Sequence, residues 1–221
     1  MFEQIIGLIA PHKCLGCNAE NTLLCMTCKQ QITPVMSSCF RCHTPTSNYQ
    51  PCTKCLQQGL LRHVYQSTMY TELPKRLIYA LKFEHNKAAA RYIAQYMDSH
   101  TPFIVPGTIV CAVPTATSRI RARGYDQAVI IAKAFASHRR LPYLPLLART
   151  TQARQVGSSL SQRQAQLMMA FRIHKPIPSP NRPILLIDDV ITTGSTLSAA
   201  AHVLRDHGAQ QIAAAVFARA L

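Results

Sequence analysis

The chain has 221 residues, 48% of them hydrophobic, which suffices for a packed core and excludes general disorder. Its charge is lopsided: 24 Lys and Arg against 9 Asp and Glu give a formal net charge of +15, pointing to a polyanionic partner such as nucleic acid or a phosphorylated small molecule. Excess arginine serving only solubility is the plainer reading of the same number. No run approaches the roughly 18 apolar residues of a membrane span. The start, with Glu3 and a short apolar run, lacks the pattern of a secretory signal, so a reducing cytoplasm is expected.

Eight of the nine cysteines form four Cys-x-x-Cys knuckles, Cys14/Cys17, Cys25/Cys28, Cys39/Cys42 and Cys52/Cys55, spaced by seven, ten and nine residues. A two-residue gap turns both thiolates toward one tetrahedral ion, and two such turns complete a four-cysteine zinc site. Disulfides are the alternative, disfavoured in a reducing compartment. The simplest pairing gives one zinc to Cys14, Cys17, Cys25 and Cys28 and another to Cys39, Cys42, Cys52 and Cys55. An interleaved pairing also fits the spacing; His12, His43 and His63 could substitute as ligands, but the cysteine count is already complete. The segment is too poor in apolar periodicity to hold its own core, so metal is expected to supply its folding free energy. A closed thiolate shell leaves no open position, which makes these ions structural. A small double zinc-ribbon domain over residues 1–62 is the result. Cys111, in an apolar run, reads as core.

From residue 63 to 221 the pattern changes to alternating strands and helices. Val64 to Thr71 reads as a strand. Pro74 opens a helix carrying Leu77, Ile78 and Leu81 at helical spacing, and a second helix spans Lys87 to Met97. Thr108 to Val113 is a compact strand stopped by Pro114. Tyr125 to Ala136 is helical, Tyr143 to Leu147 a strand, and Ser161 to Ala170 a short helix. Pro183 to Asp188 is the clearest buried strand, followed by a helix with Leu197, Ala201 and Leu204 on one face. Gly208 ends that helix, and Gln211 to Phe217 is the last strand. This rhythm predicts an α/β fold, a mostly parallel sheet flanked by helices with right-handed crossovers.

One stretch carries the chemistry: an apolar strand ending in Asp188 and Asp189, then the hydroxyl-rich turn Thr192-Thr193-Gly194-Ser195-Thr196 that opens a helix. Such a turn lies at the carboxyl edge of the sheet, where open α/β folds take their ligands. Helix N–H groups and four hydroxyls suit a dianionic phosphate, and Gly194 allows close backbone approach. The two acids suit sugar hydroxyls, or a magnesium ion reached through water. An ordinary strand, turn and capped helix is the plainer alternative. No P-loop or Rossmann glycine pattern occurs.

The acid pair with Thr-Thr-Gly-Ser-Thr resembles the phosphoribosyl diphosphate (PRPP) signature of type I phosphoribosyltransferases. Leu81-Lys82-Phe83, Val113-Pro114 with Arg119, Arg121 and Arg123-Gly-Tyr-Asp-Gln-Ala128, and Gln155, Arg163 and Ala170-Phe171 resemble segments of the ComF family of competence proteins, whose double zinc ribbon the knuckles also match. The resemblance covers nearly the whole chain. It implies a phosphate loop at Thr192 to Thr196, ribose contacts from Asp188 and Asp189, magnesium arriving with PRPP, and a mobile hood around Arg149 to Arg163. Arg119, Arg121, Arg123 and Lys82 would meet the diphosphate or DNA; a solvated basic loop and a helix-end lysine are the alternatives. Asp126 and Gln166 depart from the family's asparagines, and Asp126 adds negative charge near the expected diphosphate.

Two functions compete. The resemblance implies a PRPP-responsive protein of natural transformation that helps incoming DNA reach the cytosol, alongside DNA-uptake proteins. Between Arg119 and Arg182 there are 12 Arg and Lys against Asp126 alone, which favours single-stranded DNA as a partner. Tyr125, Tyr143 and Phe171 are candidates to stack bases, with core packing the alternative. The other function is an active transferase moving ribose 5-phosphate from PRPP to a nitrogen nucleophile.

Overall fold

Residues 184–191 are apolar but for two acids, as a strand covered on both faces must be, and they form β5 (Ile184–Ile191). The structure, a computed structural model, describes residues 13–57, 59–150 and 169–220. β5 lies between β6 (Ile212–Arg219) and β2 (Ile109–Ala112), and β1 (Val64–Met69) pairs with the far side of β6. All three pairings are parallel, with Ile184 opposite both Ile212 and Ile109, and Val64 opposite Ala214. A separate antiparallel pair joins β3 (Leu147–Arg149) to β4 (Phe171–Ile173).

Helices cover both faces of the sheet. On one face, α3 (Glu72–Phe83), α4 (Ala88–His100) and α6 (Gln127–Arg139) bury Leu77, Ile93, Met97 and Phe135 against Val110, Leu185, Ile187 and Phe217. On the other, α7 (Ser195–Asp206) buries Leu197, Ala200 and Leu204 against Cys111, Ile184, Leu186 and Val216. The chain thus leaves β2 toward one face and β5 toward the other. Adjacent strands whose crossovers diverge leave a crevice between their carboxyl ends, and the ligand loop predicted from sequence sits there.

The cysteine-rich segment carries two short helices, α1 (Met26–Gln30) and α2 (Thr53–Leu56). It runs along the free edge of β1: the Val35 N–H donates to the Ser67 carbonyl at 3.3 Å and the Thr68 hydroxyl to the Thr33 carbonyl at 2.8 Å. An edge covered this way offers no template for another chain. Its apolar residues have no separate core; Leu23, Leu24 and Ile32 join the α3–α4 layer and Phe40 the α7 layer.

Several predicted elements differ in extent. β5 continues through both acids to Ile191, and Gly208 follows the α7 C-cap with φ +97° as expected. Arg119, Arg121 and Arg123 are helical, on α5 (Thr117–Arg123), which ends at Gly124 in the left-handed region with its N–H bonded to the Ile120 carbonyl. The strand expected over Tyr143 to Leu147 is only a bridge from Tyr143 to Val110, because Pro142 and Pro145 each remove a ladder donor. Pairing resumes at Leu147. The helix expected over Ser161 to Ala170, the candidate ligand His12, and Gln155, Arg163 and Gln166 lie outside the described residues, except Met169 and Ala170, which form a turn.

Candidate functional site

Each half of the cysteine segment gathers its own four thiols. Cys14, Cys17, Cys25 and Cys28 form one group and Cys39, Cys42, Cys52 and Cys55 the other, with all sulfurs of a group within 4.8 Å of one another. The sequential pairing is the one adopted. Thiolates bound at ~2.3 Å around one tetrahedral ion stand ~3.8 Å apart; the Sγ atoms of Cys17 and Cys25 are 3.7 Å apart, those of Cys42 and Cys52 3.5 Å. Peptide N–H groups of Cys25 and Cys28 donate to the sulfurs of Cys14 and Cys25 at 3.4 Å, spreading thiolate charge. Burial, then the neighbouring sulfurs, push Cys28 and Cys55 up to about 12. Four thiols this close ionise together only around a cation, so the donor set fits a structural zinc. All nine cysteines are free of disulfides. His43 and His63 are in neither group.

At the carboxyl end of β5 the two acids point to opposite faces. Asp189, buried, pairs with Lys82 of α3, Nζ to Oδ2 at 2.7 Å. Lys82, placed by sequence with the diphosphate or DNA contacts, is therefore engaged by an acid of the ligand loop. Asp188 accepts the Asp189 N–H at 2.8 Å. Burial first, then the Asp189 charge beside it, raise its carboxyl to about 8, against the lowering effect of that N–H and of Lys82. Asp188 thus holds its proton more tightly than a free aspartate until a partner that favours its anion arrives.

The turn that follows exposes Thr192 and Thr193 and buries Gly194. Gly194 is the N-cap of α7 at φ +73°, a conformation L side chains rarely adopt. Having no side chain, it leaves the helix start without a cap of its own, and α7 has no acid in its first turn. The Thr193 and Ser195 hydroxyls lie 2.8 Å apart, and Thr193 also receives the Ser195 N–H at 3.4 Å. Hydroxyls and N–H groups facing an uncapped helix start can receive a phosphate.

The arginines of α5 divide. Arg123 donates to Gln127 at 2.7 Å and lies 5.2 Å from the Phe83 ring centre, while Arg119 and Arg121 are exposed. Asp126, read as unfavourable charge near the diphosphate, also caps α6. It accepts the Thr115 N–H and hydroxyl at 2.9 Å and the N–H groups of Ala128 and Val129 at 3.0 and 3.4 Å. Its carboxylate also borders a cleft of about 340 Å3, lined among others by Pro114, Thr115, Tyr143, Leu147 and His174. Its charge is near enough to raise Asp188 slightly. Phe171 is buried and Tyr125 and Tyr143 half-buried, so none of the three stands out as a stacking surface.

Sequence reasoning missed two features. Tyr79 and Phe83, one turn apart on α3, are 53% and 58% exposed with ring centres 5.0 Å apart, and Arg123 caps Phe83. Their i, i+4 spacing on the side of α3 away from Leu77 and Leu81 was the available signal. The other is Phe40-Arg41 inside the third knuckle, which reaches the Gly194 turn and α7. Among the described residues, no helix is long and apolar enough to cross a membrane.

The match to known proteins is consistent along the chain. Residues 120–221 match the phosphoribosyl transferase domain. Competence protein F of Haemophilus influenzae is 28% identical over 94% of this chain and 97% of its own. DNA utilization protein YhgH of Salmonella typhimurium is 26% identical over 93% and 96%. A solved glutamine PRPP amidotransferase from B. subtilis, complexed with ADP and GMP, is 17% identical over 59% of this chain and 26% of its own, with a TM-score of 0.43. The parallel sheet with helices on both faces fits the phosphoribosyl transferase domain matched by residues 120–221, and the cysteine groups ahead of it are consistent with a zinc ribbon. The chain is thus similar along most of its length to competence protein F and the YhgH proteins, with a match to the phosphoribosyl transferase domain behind two four-cysteine groups.

Proposed function

We propose that this chain is a cytoplasmic PRPP-binding protein of natural transformation that handles single-stranded DNA during uptake, together with other uptake proteins. The observation that carries the PRPP reading is the β5–α7 junction: two acids at a strand end feeding an uncapped helix start lined by exposed Thr192 and Thr193. The names of the relatives support the role in DNA uptake. In this reading the 5′-phosphate binds at Thr192 to Thr196, and Asp188 accepts from the ribose hydroxyls. Asp189 is held by Lys82, so Asp188 with the ligand's own phosphates supplies the hard oxygen donors that magnesium takes. Zinc fills both cysteine groups of a ribbon spanning residues 1–62, ahead of the domain at 63–221.

Calorimetric titration of PRPP with magnesium tests the loop. Thr192→Val with Thr193→Val is expected to weaken binding by about 1–3 kcal/mol for each hydrogen bond made to a charged group. Unchanged affinity in a folded double variant would place the ligand elsewhere. Binding is also expected to strengthen as pH rises toward 8, because the ribose contact needs ionised Asp188, whose carboxyl is raised to about 8.

For DNA, the exposed Tyr79–Phe83 pair beside Arg123, with Arg119 and Arg121 near it in sequence on α5, supplies the mix of ring faces and cations that single strands use. Labelled oligonucleotide is expected to bind with little sequence preference and with affinity falling steeply as salt rises. Tyr79→Ala with Phe83→Ala is expected to cost about 1–3 kcal/mol per stacked base. Absence of binding at low salt would reject the DNA partner.

The cleft beside Asp126 favours a second reading, turnover, because it provides space near the acids for a nitrogen acceptor. Release of diphosphate from PRPP in the presence of candidate nitrogen acceptors would establish it.

A further inference from the structure

The third knuckle turns one side inward, with Cys39 and Phe40 buried and Cys42 exposed. Phe40, between ligating Cys39 and Cys42, is 2% exposed. A Cβ added to Gly194 would lie 2.5 Å from its Cε2 and 2.6 Å from its Cδ2. The ring therefore rests against the backbone of the phosphate loop itself. Arg41 folds back over that ring, 5.5 Å from its centre, and donates from Nη2 to the Ser198 hydroxyl at 3.3 Å, one turn into α7. From behind, Gly59 leaves space for Arg41: a Cβ there would come within 2.9 Å of Nη2. On the other flank Ser38 accepts from Arg219 Nη1 at 2.8 Å, and Arg219 is the β6 residue paired with Ile191 just before the loop.

Residues 38, 40 and 41 thus touch all three elements that frame the turn: the end of β6, Gly194, and the first turns of α7. Core filling alone would account for Phe40. It would not account for the polar contacts on both sides, from Ser38 next to Cys39 and Arg41 next to Cys42. A knuckle closed on a metal ion has its backbone fixed by two metal–sulfur bonds, and an open one does not.

We propose that Phe40 and Arg41 are positioning residues, carried on the second four-cysteine group, that hold the Thr192 to Thr196 turn in its phosphate-receiving shape. Metal occupancy of that group and ligand binding at the loop are then coupled, each strengthening the other by the same factor. The first group, Cys14 to Cys28, makes no such contact in the described residues and is not part of the coupling. The proposal rests on reading the loop as the PRPP phosphate site.

The test uses the full chain loaded with zinc. Magnesium and PRPP are titrated into wild type, Phe40→Ala and Arg41→Ala, with zinc content measured on each. Zinc release to a chromophoric chelator is then followed with and without PRPP. Both variants are expected to keep two zinc ions and the fold, and to bind PRPP about tenfold more weakly, within the usual span of coupling between linked sites. PRPP is expected to slow the release of one zinc of the two. A Gly194→Ala variant, weakened by the clash with Phe40, is expected to recover part of its affinity when Phe40→Ala is added. Should Phe40→Ala fail to fold, Arg41→Ala and the release kinetics decide. Equal PRPP affinity in wild type and the folded variants, or equal protection of both ions or of neither, overturns the coupling while leaving the loop reading intact. Wild type that binds no PRPP overturns the loop reading and the coupling with it.

Discussion

Chelating the metal from the two cysteine groups is expected to unfold more than the segment that holds it. Structural zinc in small modules carries about 10–16 kcal/mol of apparent binding free energy at neutral pH. A domain's whole stability is about 5–15 kcal/mol. Leu23, Leu24, Ile32 and Phe40 have no core of their own and are packed into the two layers of the α/β unit. Losing the metal therefore frees side chains that fill both faces of the sheet. Elemental analysis should give two zinc ions per chain for protein purified without chelator. Circular dichroism should show one cooperative transition, moved down by tens of degrees after chelation. Two separate transitions, with the later one unchanged, would mean that the segment folds independently. Metal-free protein with an unaltered transition would remove the metal assignment altogether.

Lys82→Ala is the single substitution expected to cost most. The pair with Asp189 is largely buried, with side-chain exposures of 17% and 7%. Truncating the lysine strands a charge beside Asp188, a neighbour already held near protonation. Breaking a buried pair from one side costs about 3–5 kcal/mol. Removing both charges costs far less, so Lys82→Met with Asp189→Asn is expected to regain most of the stability without regaining ligand affinity. Urea unfolding midpoints read the first effect and PRPP titration the second. A single variant within about 0.5 kcal/mol of wild type would show that the pair behaves like an exposed one, screened by water.

How much of this was legible follows from the range of each interaction. The knuckles could be read because a metal turn is local, with its two thiols three positions apart. β2 and β5 could be read because a doubly covered parallel strand has to be apolar throughout. The phosphate turn could be read because its acids, hydroxyls and glycine are contiguous. α5 escaped because Thr117 to Arg123 contains only one bulky apolar residue, Ile120, so no helical stripe forms. β3 and β4 are three residues each and depend on one another rather than on their own sequence. The Lys82–Asp189 pair and the Arg41–Ser198 contact, the latter between residues 157 apart, leave no trace in either local stretch. Asp126 was legible only in part for a related reason: its charge was visible, but the four donors that share it were not, since Thr115 lies on a separate loop.

The strand order has a consequence for how the chain is made. Among the described strands β6 comes last in sequence, yet it is flanked on both sides, by β1 and by β5, with Val64 opposite Ala214 and Leu186 opposite the same residue. As the polypeptide leaves the ribosome, the knuckles can close as soon as they emerge, because their thiols are near neighbours. β1 has no such recourse. From the translation of Met69 until Ile212 and its successors arrive, its inner edge presents unpaired N–H and C=O groups. Long-range parallel pairing of this kind forms slowly. The nascent protein therefore passes most of its synthesis with an open strand, the interval in which aggregation competes most directly with folding.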